Sequence, residues 1–174
     1  MSEVLTKRRQ EKSEGIIDLR DRHRIAVVDI ENLVGGSCCP RELVALAFDE
    51  FDAAANISDA DLVFVAASRP LVFDCGCLRP AAMHYLARGV DGAELRLMAE
   101  VTVDFIVHRA SELVIGSGDG RFVEYALAVR EAGVPVRIVA RPRSIHHRYW
   151  AHGFDITQLA PFPHQAGYEV AIAA

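Results

Sequence analysis

Short apolar runs that stop at a polar residue, separated by longer stretches with apolar residues three and four apart, constrain this chain most. Arg24-Ile25-Ala26-Val27-Val28-Asp29 is the first such run. A strand apolar on both faces is satisfied only between two covering layers. The run over 61–67 repeats the pattern, and further strands are expected at 93–98, 112–116 and 134–140. Helical spacing begins at Pro40, with Leu43, Leu46, Ala47, Phe51 and Ala54 on one face. Further helices are expected over 78–88, closed by Gly89, over 103–110, over 122–132, stopped by Gly133, and after Ser144. Alternation of this kind predicts an α/β fold, a three-layer sandwich around a mostly parallel five-stranded sheet.

The chain has 174 residues, 51% of them hydrophobic and 25% charged, which suits one domain with a real core and excludes wholesale disorder. The expected domain covers 23–160, between a charged tail at 1–22 and an irregular tail at 161–174. No apolar run approaches the roughly 18–20 residues of a membrane span. The opening MSEVLTKRRQEKSEG has no apolar core of a secretory signal, so a cytoplasmic protein is expected. The four cysteines, Cys38, Cys39, Cys75 and Cys77, form an adjacent pair and a C-x-C, which fits reduced thiols better than a structural zinc site.

In a parallel α/β sheet, ligands bind beyond the carboxyl ends of the strands. Asp29, with Glu31 and Asn32 behind it, ends the first strand, and Ser117-Gly118-Asp119-Gly120 ends the fourth. Between them Asp104 is the one acid in Val101-Thr102-Val103-Asp104-Phe105-Ile106-Val107, where a carboxylate is costly unless it is paired or bound to a metal. Converging carboxylates repel one another unless a cation neutralises them, and Mg²⁺ or Mn²⁺ suit oxygen ligands. Such a site fits phosphoryl chemistry. Asp29 and Asp119 are equally suited to capping the helices that follow.

Three motifs occur in order: Val28-Asp29-Ile30-Glu31-Asn32-Leu33, then Val103-Asp104-Phe105-Ile106-Val107, then Gly116-Ser117-Gly118-Asp119-Gly120-Arg121-Phe122. Together they resemble the NYN family of the PIN-like nucleases, whose pattern is a strand ending D-x-x-N, a central V-D, and S-G-D-x-D-F. The resemblance spans about residues 24–160. It implies a PIN-like sheet between helices and a metal-dependent ribonuclease, an endoribonuclease using Mg²⁺ or Mn²⁺. Carried over by position, Asp29, Asp104 and Asp119 are the catalytic metal ligands. Asn32 matches the polar residue that supports the first aspartate or contacts substrate, Ser144 matches the serine at the mouth of the last strand, Ser117 is counted with them as substrate-binding, and Asp155 lies near a further acid. Arg121 departs from the pattern, standing where the family has a fourth acid. A guanidinium cannot ligate a metal, so either three acids suffice, with Glu31 beside them, or catalysis is weakened, or Arg121 grips a phosphate. The alternative function is therefore a nuclease-like fold that binds RNA or a protein partner without cutting.

Arg141, Arg143, His146, His147 and Arg148 cluster after the fifth strand and, with Arg69 and Arg121, suggest a phosphate-binding rim around the acids. The ordinary alternative is the solvated face of a last helix. The net charge of −5 does not speak against single-stranded or structured RNA as a partner, because net charge describes steering rather than a site. The Ala- and Val-rich helices leave a homodimer open.

Overall fold

The computed structural model describes residues 23–161, so the two expected tails lie outside the described residues, Pro161 apart. The elements run β1 (His23–Asp29), α1 (Ile30–Val34), α2 (Arg41–Ala55), β2 (Leu62–Ala67), α3 (Leu71–Leu78), β3 (Met83–Leu86) and α4 (Gly92–Glu100). They continue with α5 (Val103–Arg109), β4 (Ala110–Gly116), α6 (Phe122–Glu131), β5 (Val136–Ala140), α7 (His147–Ala151) and β6 (Asp155–Gln158). All adjacent strands are parallel, in the order β3-β2-β1-β4-β5-β6.

The sheet separates two apolar layers. On one face Ile25, Val27, Phe64, Leu113, Ile115 and Ile138 pack against Leu97, Ile106, Phe122, Ala126 and Val129. On the other, Ala26, Val28, Val63, Val65, Val114 and Val139 pack against Leu33, Val44, Phe48, Phe51 and Leu71. Neighbouring residues of β1 thus enter opposite cores, which is why its sequence is apolar throughout. Among the described residues no helix is long and apolar enough to cross a membrane. The described cysteines are free thiols, and burial pushes Cys75 up to about 12.

Three expectations are corrected. The sheet has six strands, because Asp155–Gln158 adds a parallel edge strand beside β5. The helix expected over 78–88 is instead α3, ending at Leu78, followed by the edge strand Met83–Leu86. Pro80 explains the break, since it disfavours helical backbone at Arg79, whose ψ is 67°. The strand expected at 93–98 is the helix α4, in which Ala93 and Leu97, with the capping Val101, are buried at four-residue spacing while Leu95 is 55% exposed. Leu95 and Leu97 had the two-residue spacing of a strand, but the helical face through Leu97 reaches the core.

The order of the strands reverses between β1 and β4, so the loops that follow them diverge to opposite sides and open a crevice. Register sets its floor: Val28 lies opposite Gly116, which puts Asp29 level with the start of the Ser117–Gly120 loop. Gly116 itself admits no side chain, since a Cβ there would lie 2.8 Å from the Phe51 ring. Gly116→Ala is therefore expected to destabilise the fold by about 1–3 kcal/mol through overpacking. Gly76, in α3 with open space around it, is the control. Gly76→Ala should be neutral or stabilising by up to about 1 kcal/mol. Urea denaturation of both variants checks the contrast.

Candidate metal centre and flanking clefts

Asp29 ends β1 in extended backbone and caps α1, its carboxylate accepting from the N–H groups of Glu31 (3.1 Å) and Asn32 (3.3 Å). The capping duty is thus real, but capping does not account for its surroundings. Asp29 is 4% exposed and Glu94, in the first turn of α4, is 7% exposed. Their carboxyl groups are hydrogen-bonded to each other. Burial, with Glu94, Glu31 and Asp119 nearby, raises Asp29 to about 8, and burial raises Glu94 as well, with Asp119 and Asp91 adding to it. With its carboxyl raised to about 8, Asp29 keeps a proton at neutral pH, and the pair shares it.

The loops around this pair are tied together. Asn32 Oδ1 accepts from the Gly118 N–H at 2.9 Å, joining the loop after β1 to the loop after β4. Glu31 accepts from the Ser68 N–H at 3.0 Å and from its hydroxyl, anchoring the end of β2. The Asp119 carboxylate accepts from the Arg121 N–H at 2.8 Å, and the buried Tyr149 hydroxyl donates to the Asp119 carbonyl at 2.7 Å. His146 N–H donates to the Gly118 carbonyl at 2.9 Å, and a Cβ on Gly118 would lie 2.4 Å from the Ser144 carbonyl oxygen. Only glycine lets these two loops approach so closely.

Two openings meet at Asn32. An inner pocket of about 220 Å³ is lined by Asp29, Glu31, Asn32, Ser68, Asp91 and Glu94. An outer cleft of about 700 Å³ is lined by Asn32, Asp119, Arg121, Arg143, Ser144, His146 and His147. Arg121 forms an ion pair with Asp91, ahead of α4, and so bridges the two sides. Its charge is met by a carboxylate rather than standing alone beside Asp29.

The structure brings Asp29, Asn32, Asp119, Arg121, Arg143 and Ser144 to this edge, as expected. It does not bring Asp104. That carboxyl is 86% exposed on α5, beside His108 one turn on, while Ile106 turns inward. The apolar neighbours of Asp104 are the buried side of an amphipathic helix, and the acid is on the other side. The acid that stands beside Asp29 is instead Glu94. Ser117 is fully buried, and its hydroxyl accepts from the Asp119 N–H at 3.2 Å, so it shapes the loop rather than meeting substrate.

Arg141 is also corrected. It is 1% exposed, pairs with Glu50 at 2.6 Å and donates to the carbonyls of Leu33 (3.0 Å) and Ala160 (2.5 Å). It ties β5 to α1 and α2 and is no part of a phosphate rim. Arg148 pairs with Glu124 and lies outside the lining of the outer cleft. Asp155 opens the edge strand β6 at its amino end, away from the centre.

No protein-family model, no curated protein and no solved structure matches this chain. The site is read from its own chemistry. Among the described residues no three His, Cys, Asp or Glu side chains form a ready-made metal cluster. The donor set nonetheless fits a hard divalent cation: it is all carboxylate oxygen, Asp29 and Glu94 are buried and Asp119 half-buried, and burial, with the acids around it, keeps a proton on Asp29 at neutral pH. A cation and that proton compete for the same oxygens.

The sign of the pH dependence follows. The Asp29 carboxyl is raised in the folded protein, so between its unfolded value of 3.8 and about 8 the folded state holds more protons. The metal-free protein should lose stability as pH rises through that window. Asp29→Asn keeps the capping oxygen and removes the titration. Its melting temperature is expected to fall less than that of the unsubstituted protein between pH 5 and pH 8. Thermal melts in EDTA at the two pH values check this.

Proposed function

We propose that this chain is a metal-dependent ribonuclease that hydrolyses RNA phosphodiester bonds at the carboxyl edge of its sheet, with Mg²⁺ or Mn²⁺ held by Asp29, Glu94 and Asp119. The observation that carries this reading is the buried Asp29–Glu94 pair at the strand-order switch, with Asp119 close enough to raise both. Structural stability alone does not call for carboxyls placed where they repel one another. A divalent cation at these oxygens supplies a Lewis acid for the phosphate and lowers the pKa of a bound water.

The chain's own groups supply the positioning. The Gly118 N–H occupies Asn32 Oδ1, so the Asn32 amide has its two N–H donors for a phosphate oxygen where the two openings meet. Arg143, exposed on the outer cleft, with His146 and His147 beside it, holds the backbone on one side. The resemblance to the NYN nucleases supports the same reading, since its D-x-x-N and S-G-D motifs meet at this edge. Arg121, paired to Asp91, does not oppose it.

Labelled single-stranded and hairpin RNAs incubated with Mn²⁺ test the proposal. Asp29→Asn, Glu94→Gln and Asp119→Asn should each lower cleavage by about 100-fold or more, the upper end of what losing even an outer-shell metal partner costs. Asp104→Asn should cut like the unsubstituted protein. Cleavage that survives Glu94→Gln but not Asp104→Asn would overturn the assignment of the third acid. Tight RNA binding with no cleavage in Mn²⁺ or Mg²⁺ would replace the ribonuclease with the binding-only alternative.

A further inference from the structure

Most arginines of the described residues are spent on a partner. Arg24, Arg79, Arg96, Arg121, Arg137, Arg141 and Arg148 are in ion pairs, Arg109 lies over Phe105, and Arg130 lies over Phe154. Arg41, Arg69, Arg88 and Arg143 are in neither kind of contact, nor in a side-chain hydrogen bond, among the described residues. Three of these four follow the carboxyl ends of strands: Arg69 after β2, Arg88 after β3 and Arg143 after β5. Exposed guanidiniums with no acid beside them, gathered on one edge, mark a surface for an anion.

Their placement is two-sided. Arg69 and Arg88, with Leu86, Ala87 and Gly89, line an open basin of about 430 Å³. Ala87 and Gly89 also line the inner pocket of Asp29 and Glu94, so the basin and that pocket share a wall. Asn32 in turn lines both the inner pocket and the outer cleft of Arg143. The result is a row of three adjoining openings along the carboxyl edge, cationic at both ends and acidic in the middle. From β3 to β5 it crosses four strand spacings, about 19 Å.

We infer that Arg69 and Arg88 form a phosphate subsite for a single RNA strand, on the side of the acidic centre opposite Arg143. This rests on the ribonuclease reading for the identity of the polymer, but the subsite is read from its own charge and place. The acidic centre repels a polyanion, and cations on both sides hold the strand across it. Phosphate contacts of this kind carry affinity without sequence preference.

The test uses a fluorescent 20-nucleotide single-stranded RNA and the Arg69→Gln/Arg88→Gln double variant, with Arg109→Gln as a control for lost charge elsewhere. Binding is read by anisotropy in Mn²⁺ on an Asp29→Asn background, and cleavage separately on the otherwise unsubstituted chain. The double variant should bind about ten-fold more weakly at low salt. Losing two contacts at about 0.7 per single-strand phosphate should flatten its salt slope by about 1.4. Between 50 and 200 mM salt it then loses about seven-fold less affinity than its parent. In cleavage, KM should rise and kcat stay unchanged.

A double variant that behaves like Arg109→Gln, or a parent that does not bind the RNA, overturns the subsite. A parent that shows this binding pattern but cuts no RNA retires the ribonuclease reading and keeps the subsite. Cleavage with an unchanged KM in the double variant does the reverse.

Discussion

Two carboxyl groups that must share a proton in order to be buried together set the terms for the rest of this site. Asp29 and Glu94 arrive from different elements, the end of β1 and the first turn of α4, and neither is in an ion pair with a cation among the described residues. A fold that gathers acids in this way is strained electrostatically unless something positive joins them. Everything nearby keeps the strain in place. Asn32 fastens the loop after β4, Glu31 fastens the end of β2, and Tyr149 holds Asp119 from behind.

Much of this was legible in the chain. The run Ile25–Asp29 requires a strand with both faces covered, and it lies at the centre of a parallel sheet between two apolar layers. Asp29, Asn32 and Asp119 fall at strand ends next to the switch in strand order, and topology alone brings them together. Glu94 was hidden by one mistaken period. With 93–98 taken as a strand, Glu94 is a surface residue between alternating apolar neighbours. As a helix, the same residues place it in the first turn, at the carboxyl edge, on the buried side with Leu97. The four-residue spacing of Ala93, Leu97 and Val101 was the available signal.

The basic residues teach a different lesson, because charge type does not reveal partnership. Arg141 and Arg143 are two positions apart, yet one is buried against Glu50 and two carbonyls while the other is exposed on the cleft. Long-range contacts decide between them: the acid that holds Arg141 comes from α2, some ninety residues earlier. Ser117 and Ser144 divide likewise, one sealed beneath its loop and one on the cleft wall.

On the proposed reading, the Asp29–Glu94 pair exchanges its proton for a divalent cation. Calorimetric titration of the protein with Mn²⁺ at pH 7, repeated in buffers of different ionisation enthalpy, counts the protons released on binding. The expected result is a single site that releases close to one proton, with the release abolished by Glu94→Gln. Binding that releases no proton, or that is unchanged by Glu94→Gln, would contradict it.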